Sequence, residues 1–276
     1  MSRMNIQAAV TMGQLQHKLD QIGHNIANVN TNGYKNRSSN FTSLLTQNIN
    51  NFSDVEANAT GRVTPHGIRL GSGAKLGHTN LDLSLGSLQQ TGRGLDIALL
   101  ADNHLLQVEV TENGVTETRY TRDGAMYLHP IADGQVMVTT RDGYPIVGES
   151  GPLVFADGME DITISETGEI LVTRNGVANV EGQLSMAQAI RPQFLESVGN
   201  NLLRLPDLTE VDYVAADIVG EVANGEIQVQ NQALEQSNVD LSMQMTEMLQ
   251  AQRSYQFNAR TITMHDQMRG LVNQIR

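Results

Sequence analysis

Apolar positions near the start of the chain form a narrow, regular stripe. Met12, Leu15, Leu19, Ile22, Ile26 and Val29 follow steps of 3, 4, 3, 4 and 3, with Gln14, Gln16, His17, Lys18, Asp20 and Gln21 between them. This spacing predicts an α-helix carrying a heptad seam. It would run from about 5 to 28, roughly 36 Å at 1.5 Å per residue. The pattern stops at Asn28-Val29-Asn30-Thr31-Asn32-Gly33, a turn-forming run. A single stripe of this width does not stabilise a lone helix, so a partner helix is expected.

The last fifty residues repeat the pattern. Phe257, Met264, Met268, Leu271 and Ile275 follow steps of 7, 4, 3 and 4. A second stripe, Leu241, Met245, Met248, Tyr255 and Ile262, keeps heptad spacing, with Gln252 interrupting it. The segment has no proline and one glycine, Gly270, and Ser237 or Asp240 suits the helix start. A Met and Leu stripe is ordinarily core within one molecule. Here about 200 residues separate the two seams, so the expectation is that they pack on each other or on copies from neighbouring subunits.

Between them the period changes from helical to alternating. Turn pairs occur at Asn113-Gly114, Asp123-Gly124, Asp133-Gly134, Asp142-Gly143, Asp157-Gly158 and Asn175-Gly176, the first four at intervals of 10, 10 and 9 residues. Strand-like runs at 105–110, 136–139 and 162–164 lie among them. Short strands with Asn-Gly and Asp-Gly turns indicate antiparallel β-structure. The expected fold is therefore α+β: long N- and C-terminal helices, a coiled-coil-like pair, flanking a central antiparallel β-domain. The expected segments are 1–49 (N-terminal helical assembly segment), 50–100 (extended connector), 101–199 (β-domain), 200–226 (return connector) and 227–276 (C-terminal helical assembly segment).

Charge sharpens this division. The 276 residues carry a net charge of −12. Residues 101–226 hold 21 acids and six bases, whereas residues 1–50 hold one acid and four bases, and the last fifty hold four of each. The acidic middle is suited to solvation and mutual repulsion, which leaves the ends as the better contact surfaces. The balance argues against nucleic-acid binding, and no apolar run reaches the ~20 residues needed to insert in a membrane. With no cysteine, disulfides and thiolate metal sites are excluded.

Candidate chemistry is thin. His17 and His24 would share a helix face, and a polar flank explains them better than a metal. Glu160 and Asp161 are adjacent carboxylates, but such pairs arise by chance in so acidic a block. Gly71-Ser72-Gly73 and Gly92-Arg93-Gly94 lack the spacing and following helix of a phosphate loop. Thr-Arg-Asp-Gly at 121–124 and 140–143, and Thr-Arg-Asn-Gly at 173–176, are expected to be three hairpin turns rather than a repeated ligand loop. No catalytic residue, cofactor or metal is expected.

Several motifs resemble those of one family. Asn25-Ile26-Ala27-Asn28-Val29-Asn30-Thr31-Asn32-Gly33-Tyr34-Lys35 resembles the N-terminal signature of bacterial flagellar rod and hook proteins. Glu235-Gln236-Ser237-Asn238-Val239-Asp240-Leu241, followed by Glu247-Met248-Leu249-Gln250-Ala251-Gln252-Arg253-Ser254-Tyr255, resembles their C-terminal signature. Further matches are Phe41-Thr42-Ser43-Leu44-Leu45, Gly71-Ser72-Gly73, Leu95-Asp96-Ile97-Ala98, Tyr120-Thr121-Arg122-Asp123-Gly124 and Glu196-Ser197-Val198-Gly199-Asn200-Asn201. The likeness covers residues 4 to 276 and points to the distal-rod and hook–basal-body type. Where the family often has a Gly-rich segment ending in two aromatics, this chain has Ala101-Asp102-Asn103-His104-Leu105-Leu106.

The resemblance implies a non-enzymatic subunit that self-assembles into a hollow, torque-transmitting helical tube and contacts other rod and hook proteins. It implies export by the flagellar type III apparatus without a cleaved signal peptide, and a place in the basal body outside the cytoplasm, in the periplasm or cell-wall zone. The residues expected at subunit contacts are the two seams together with Asn28, Gly33 and Tyr34. Two rivals stand beside this reading. A rod-associated cell-wall-processing enzyme would need an acid–base pair that the sequence does not supply. An adhesin or scaffold module would use the Thr-Arg-Asp-Gly turns and would survive loss of both ends.

Overall fold

The computed structural model describes residues 3–43, 46–49, 68–71, 74–112, 114–208 and 213–274. In chain order the elements are α1 (Arg3–Ala27), β1 (Arg37–Ser43), β2 (Thr46–Ile49), β3 (Ile68–Gly71), β4 (Ala74–Leu81), β5 (Leu88–Gln90), β6 (Ile97–Leu99), β7 (His104–Glu112) and β8 (Val115–Thr121). There follow β9 (Tyr127–Ile131), β10 (Gln135–Thr139), β11 (Val147–Gly148), β12 (Gly151–Pro152), β13 (Val154–Ala156), β14 (Asp161–Ile164), β15 (Glu169–Arg174), β16 (Val177–Gln183) and β17 (Met186–Ala189). The last are β18 (Glu196–Gly199), β19 (Leu202–Arg204), α2 (Ala215–Ile218), β20 (Val219–Glu221), β21 (Val229–Asn231), β22 (Ala233–Glu235) and α3 (Leu241–Gln274). This is an α+β chain, with three α-helices among the described residues and antiparallel sheets between the two long ones.

The elements divide into two units. One comprises described residues of 1–26, 38–79 and 241–276; the other comprises those of 27–37 and 80–240. In the first unit α1 and α3 are 25 and 34 residues long, about 37 and 51 Å. Strands β1 and β4 pair with each other, and β2 pairs with β3.

The second unit is built on a six-stranded antiparallel sheet in the order β18-β19-β8-β7-β17-β20. Its central strand, β7, is covered on both faces. Leu106, Val108 and Val110 enter the main core, whereas Leu105, one position away, enters a smaller cluster with Leu83, Tyr120, Ala187, Ala189 and Leu203. That is the period-two alternation of a strand acting in two layers. The main core is completed by Val138 of β10, Phe155 of β13, Ile162 and Ile164 of β14, and Ile170 and Val172 of β15. With few aromatic rings available, this core is aliphatic. Two three-stranded sheets, β13-β10-β9 and β14-β15-β16, carry those residues. The return segment adds strands to early ones: β21 pairs with β6, and β22 with β5.

Candidate functional site: the terminal helices and a buried charge cluster

In the helical unit, Leu15, Ile22 and Ala251 form a buried cluster, with Leu19, Ile26, Met248 and Tyr255 packed against it. Asn25 Nδ2 donates to Gln244 Oε1 at 3.2 Å, both residues buried, and Lys18 Nζ lies 3.5 Å from Glu247. Partners advance along α3 as they retreat along α1, so the helices run antiparallel. The buried and half-buried residues Gln244, Met248, Ala251, Tyr255, Asn258, Ile262 and His265 of α3 recur at alternating steps of four and three. Lys18 also caps the Phe41 ring at 5.7 Å, and Ser39 donates to Gln21 at 2.5 Å.

The predicted contact residues separate into two sets. Leu15, Leu19, Ile22, Ile26, Met248 and Tyr255 meet in that cluster, and Met12 and Ile262 are half-buried. Met245, Phe257, Met264, Met268 and Leu271 expose more than half of their surface, and Leu241 is exposed as well. The more apolar of the two C-terminal stripes therefore faces away from α1. Ile275 lies outside the described residues.

In the β-rich unit, the two ends of the domain are closed by a cluster that charge patterning does not reveal. After α1, Asn28 and Thr31 form a local turn: the Thr31 amide donates to the Asn28 carbonyl at 3.1 Å and its hydroxyl to Asn28 Oδ1 at 3.2 Å. Gly33 follows at φ 65°, a conformation that favours glycine, and its amide donates to the Glu235 carbonyl at 2.8 Å. Tyr34 is buried, and that burial raises its phenol above the ordinary value, opposed by Arg37. Lys35 then enters the interior. Its ammonium donates to Glu235 Oε1 at 2.5 Å and to the Ser84 carbonyl at 2.6 Å.

The second carboxylate oxygen of Glu235 accepts from Arg122 Nε at 2.7 Å, and Oε1 also accepts the Gly86 amide at 2.7 Å. Arg122 spends its remaining donors on main-chain carbonyls: Asp102 at 2.5 Å, His104 at 2.8 Å and Leu99 at 3.1 Å. The side chains of Lys35, Arg122 and Glu235 are 4%, 1% and 1% exposed. Two cations thus share one anion away from water. Burial, and then the neighbouring Arg122 charge, push the Lys35 ammonium below its ordinary value. Such a cluster stands only while each charge keeps its partners. Lys35, Arg122 and Glu235 each lie in a motif that resembles the family, yet sequence reading gave none of them a role. The available signal was Glu235 itself, a carboxylate in line with the apolar Ala233 and Leu234.

The three Thr-Arg-x-Gly segments differ. At 173–176, Asn175 (φ 51°) and Gly176 (φ 72°) make a two-residue hairpin between β15 and β16, closed by the Arg174–Val177 pair. At 140–143, the Gly143 amide donates to the Thr140 carbonyl, and Pro145 bridges back to Thr139. At 121–124 there is no hairpin: β8 pairs with β7 and β19, and the next strand, β9, pairs with β10. Arg122 at this copy bonds Glu235 in the interior, and the expectation of three hairpins fails here. Gly94 is no phosphate loop either; a Cβ there would lie 2.4 Å from the Ile162 carbonyl. Glu160 accepts the Gly176 amide and Asp161 the Ile162 amide. Among the described residues no group of His, Asp or Glu could hold a metal ion, and no helix is long and apolar enough to cross a membrane.

α1 and α3 thus pair in one unit, and the other unit is closed by the residues that follow α1 and precede α3. The model of the flagella basal body rod protein family matches residues 7–35, and that of the C-terminal region of flagellar basal body rod FlgEFG proteins matches residues 230–275. The chain is 42% identical, over the full length of both, to the flagellar hook-basal body complex protein FlhP of Bacillus subtilis. It is 31% identical to the flagellar basal-body rod protein FlgG of Agrobacterium fabrum, covering 97% of each chain, and 32% identical to the FlgG of Bacillus subtilis, covering 95% of each. The chain belongs to the flagellar basal-body rod protein family. It is a structural component of the flagellum, not an enzyme. Lys35 closes the first matched segment and Glu235 lies in the second, so the charge cluster ties together the two parts of the chain that define the family.

Proposed function

We propose that this subunit polymerises through its terminal helices into the inner wall of a hollow, torque-transmitting tube in the distal-rod or hook–basal-body region. The observation that carries the reading is the outward stripe of α3, where Phe257, Met264, Met268 and Leu271 lie at heptad-compatible steps and remain in water. Burying each such side chain is worth about 1.5–3 kcal/mol, so a lattice that covers the stripe in every subunit gains repeatedly. The four-three recurrence on the opposite face of α3 supports coiled-coil-like pairing with α1. The seam residues and Asn28 then take part in subunit contacts, and Gly33 and Tyr34, enclosed by the β-unit's own chain, take part by shaping the turn that follows α1. The other partners are further rod and hook proteins and the flagellar type III export apparatus. The location is extracytoplasmic, in the periplasm or cell-wall zone, reached without a cleaved signal peptide.

The test is Met268→Asp and Phe257→Asp, followed by electron microscopy of purified basal bodies and by assembly in vitro. Loss of the tube, with the β-unit's thermal transition unchanged, supports the proposal. Normal assembly of both variants overturns it.

A further inference from the structure

The cluster of Lys35, Arg122 and Glu235 joins residues that leave the ribosome at very different times. Glu235 lies 200 positions after Lys35 and 113 after Arg122. A chain is made from its N-terminus, so both cations and the strands β7 and β8 exist long before the carboxylate does. The sites that receive the cations are otherwise complete early: the carbonyls of Ser84, Leu99, Asp102 and His104 all precede residue 122. Carbonyls supply hydrogen bonds but no countercharge. Closing the domain at that stage would bury two positive charges beside each other with no countercharge to offset their desolvation. Asp82 is the other carboxylate whose charge acts on Lys35, and its residue is exposed.

We infer that Glu235 is a charge latch: Lys35 and Arg122 hold the β-unit open until the return segment delivers the carboxylate, and the whole unit then closes in one step. The return segment fits this part because it brings more than charge. Val229, Ala233 and Leu234 are buried beside Glu235, and β21 and β22 pair with β6 and β5 as they arrive. The Gly33 amide docks on the Glu235 main-chain carbonyl in the same event. The latch is a property of folding, and it holds whether or not the polymerisation proposed above is correct.

Hydrogen exchange on the full-length chain tests it in two ways. In Glu235→Gln, amides of β7 and β8 should exchange about a hundredfold faster or more, although the substitution lies on β22. In the charge-free variant K35M/R122M/E235M, their exchange should slow at least about tenfold relative to Glu235→Gln, because no buried charge is then uncompensated, although the Ser84, Leu99, Asp102 and His104 carbonyls and the Gly86 amide lose their side-chain partners. Pulse-labelling during refolding then reads the order. In the natural chain β7, β8 and β22 should become protected in one kinetic phase, and in K35M/R122M/E235M β7 and β8 should precede β22. Intact protection of β7 and β8 in Glu235→Gln, failure of the charge-free variant to recover, or early protection of β7 and β8 in the natural chain would each overturn the latch.

Discussion

The Gly33 backbone lies directly against that of Arg122: a Cβ added to Gly33 would sit 2.5 Å from the Arg122 carbonyl carbon and oxygen. Both neighbours are main chain, so neither can rotate aside, and the glycine also holds φ 65°. Gly33→Ala combines left-handed strain with overpacking. It should destabilise the β-unit by about 2–4 kcal/mol, measured as a lower urea midpoint with unchanged slope. A midpoint like that of the natural chain would show that this contact yields easily.

The three arginines of the Thr-Arg-x-Gly segments should differ sharply when truncated. Arg122→Ala leaves Glu235 short of a cation in the interior and should cost about 3–5 kcal/mol. Arg174→Ala removes the half-buried pair with Glu181 and a bond to the Ala156 carbonyl, for about 1 kcal/mol or less. Arg141 is exposed, and Arg141→Ala should stay within about 0.5 kcal/mol. Equal effects in chemical denaturation would refute the assignment of Arg122 alone to the interior.

Acid sensitivity should centre on His104. Burial, then the Arg122 charge, lowers its pKa, with Glu226 acting in the opposite sense. Its Nδ1 is buried without a hydrogen-bond partner among the described residues. A histidine held neutral in the fold contributes stability that is fully present above its unfolded value, about 6.5, and that is lost as pH falls through that value towards the lower folded one. The melting temperature should therefore drop between about pH 7 and 5, and His104→Leu should flatten that slope. Arg122 bonds the residue's main-chain carbonyl, so the leucine keeps that contact. Identical slopes would exclude His104 as the source.

The terminal helices should be the least protected part of the free subunit. Their shared apolar cluster is small, and backbone ordering costs roughly 1–2 kcal/mol per residue. Hydrogen exchange on the monomer is expected to be fast across 12–29 and slow across β7 and β8. Strong protection of 12–29 in dilute solution would contradict the view that sister subunits complete these ends.

The long helices and the central strands were legible because apolar periodicity records them directly. The steps of three and four before Asn28 correspond to α1, and the runs at 105–110, 136–139 and 162–164 lie in β7, β10 and β14. The inward face of α3 was harder to read. Gln244, Asn258 and His265 sit on it, so a search for apolar stripes favours the outward Phe257 and Met268. The charge cluster was hidden for another reason. Lys35, Arg122 and Glu235 are ordinary surface residue types, and contacts distant in sequence remove them from water. The copy of Thr-Arg-Asp-Gly at 121–124 looks like the other two because turn chemistry is local, whereas the ion that recruits Arg122 is 113 positions away.

Because α1 and α3 run in opposite directions, the residues near position 3 and those near position 274 come to the same end of the helical unit. Fluorophores placed on the first turn of α1 and the last turn of α3 would report from one neighbourhood. The opposite end, where Asn25 meets Gln244, is built from the last turns of α1 and the first turn of α3, so a probe for that region belongs on one of those turns.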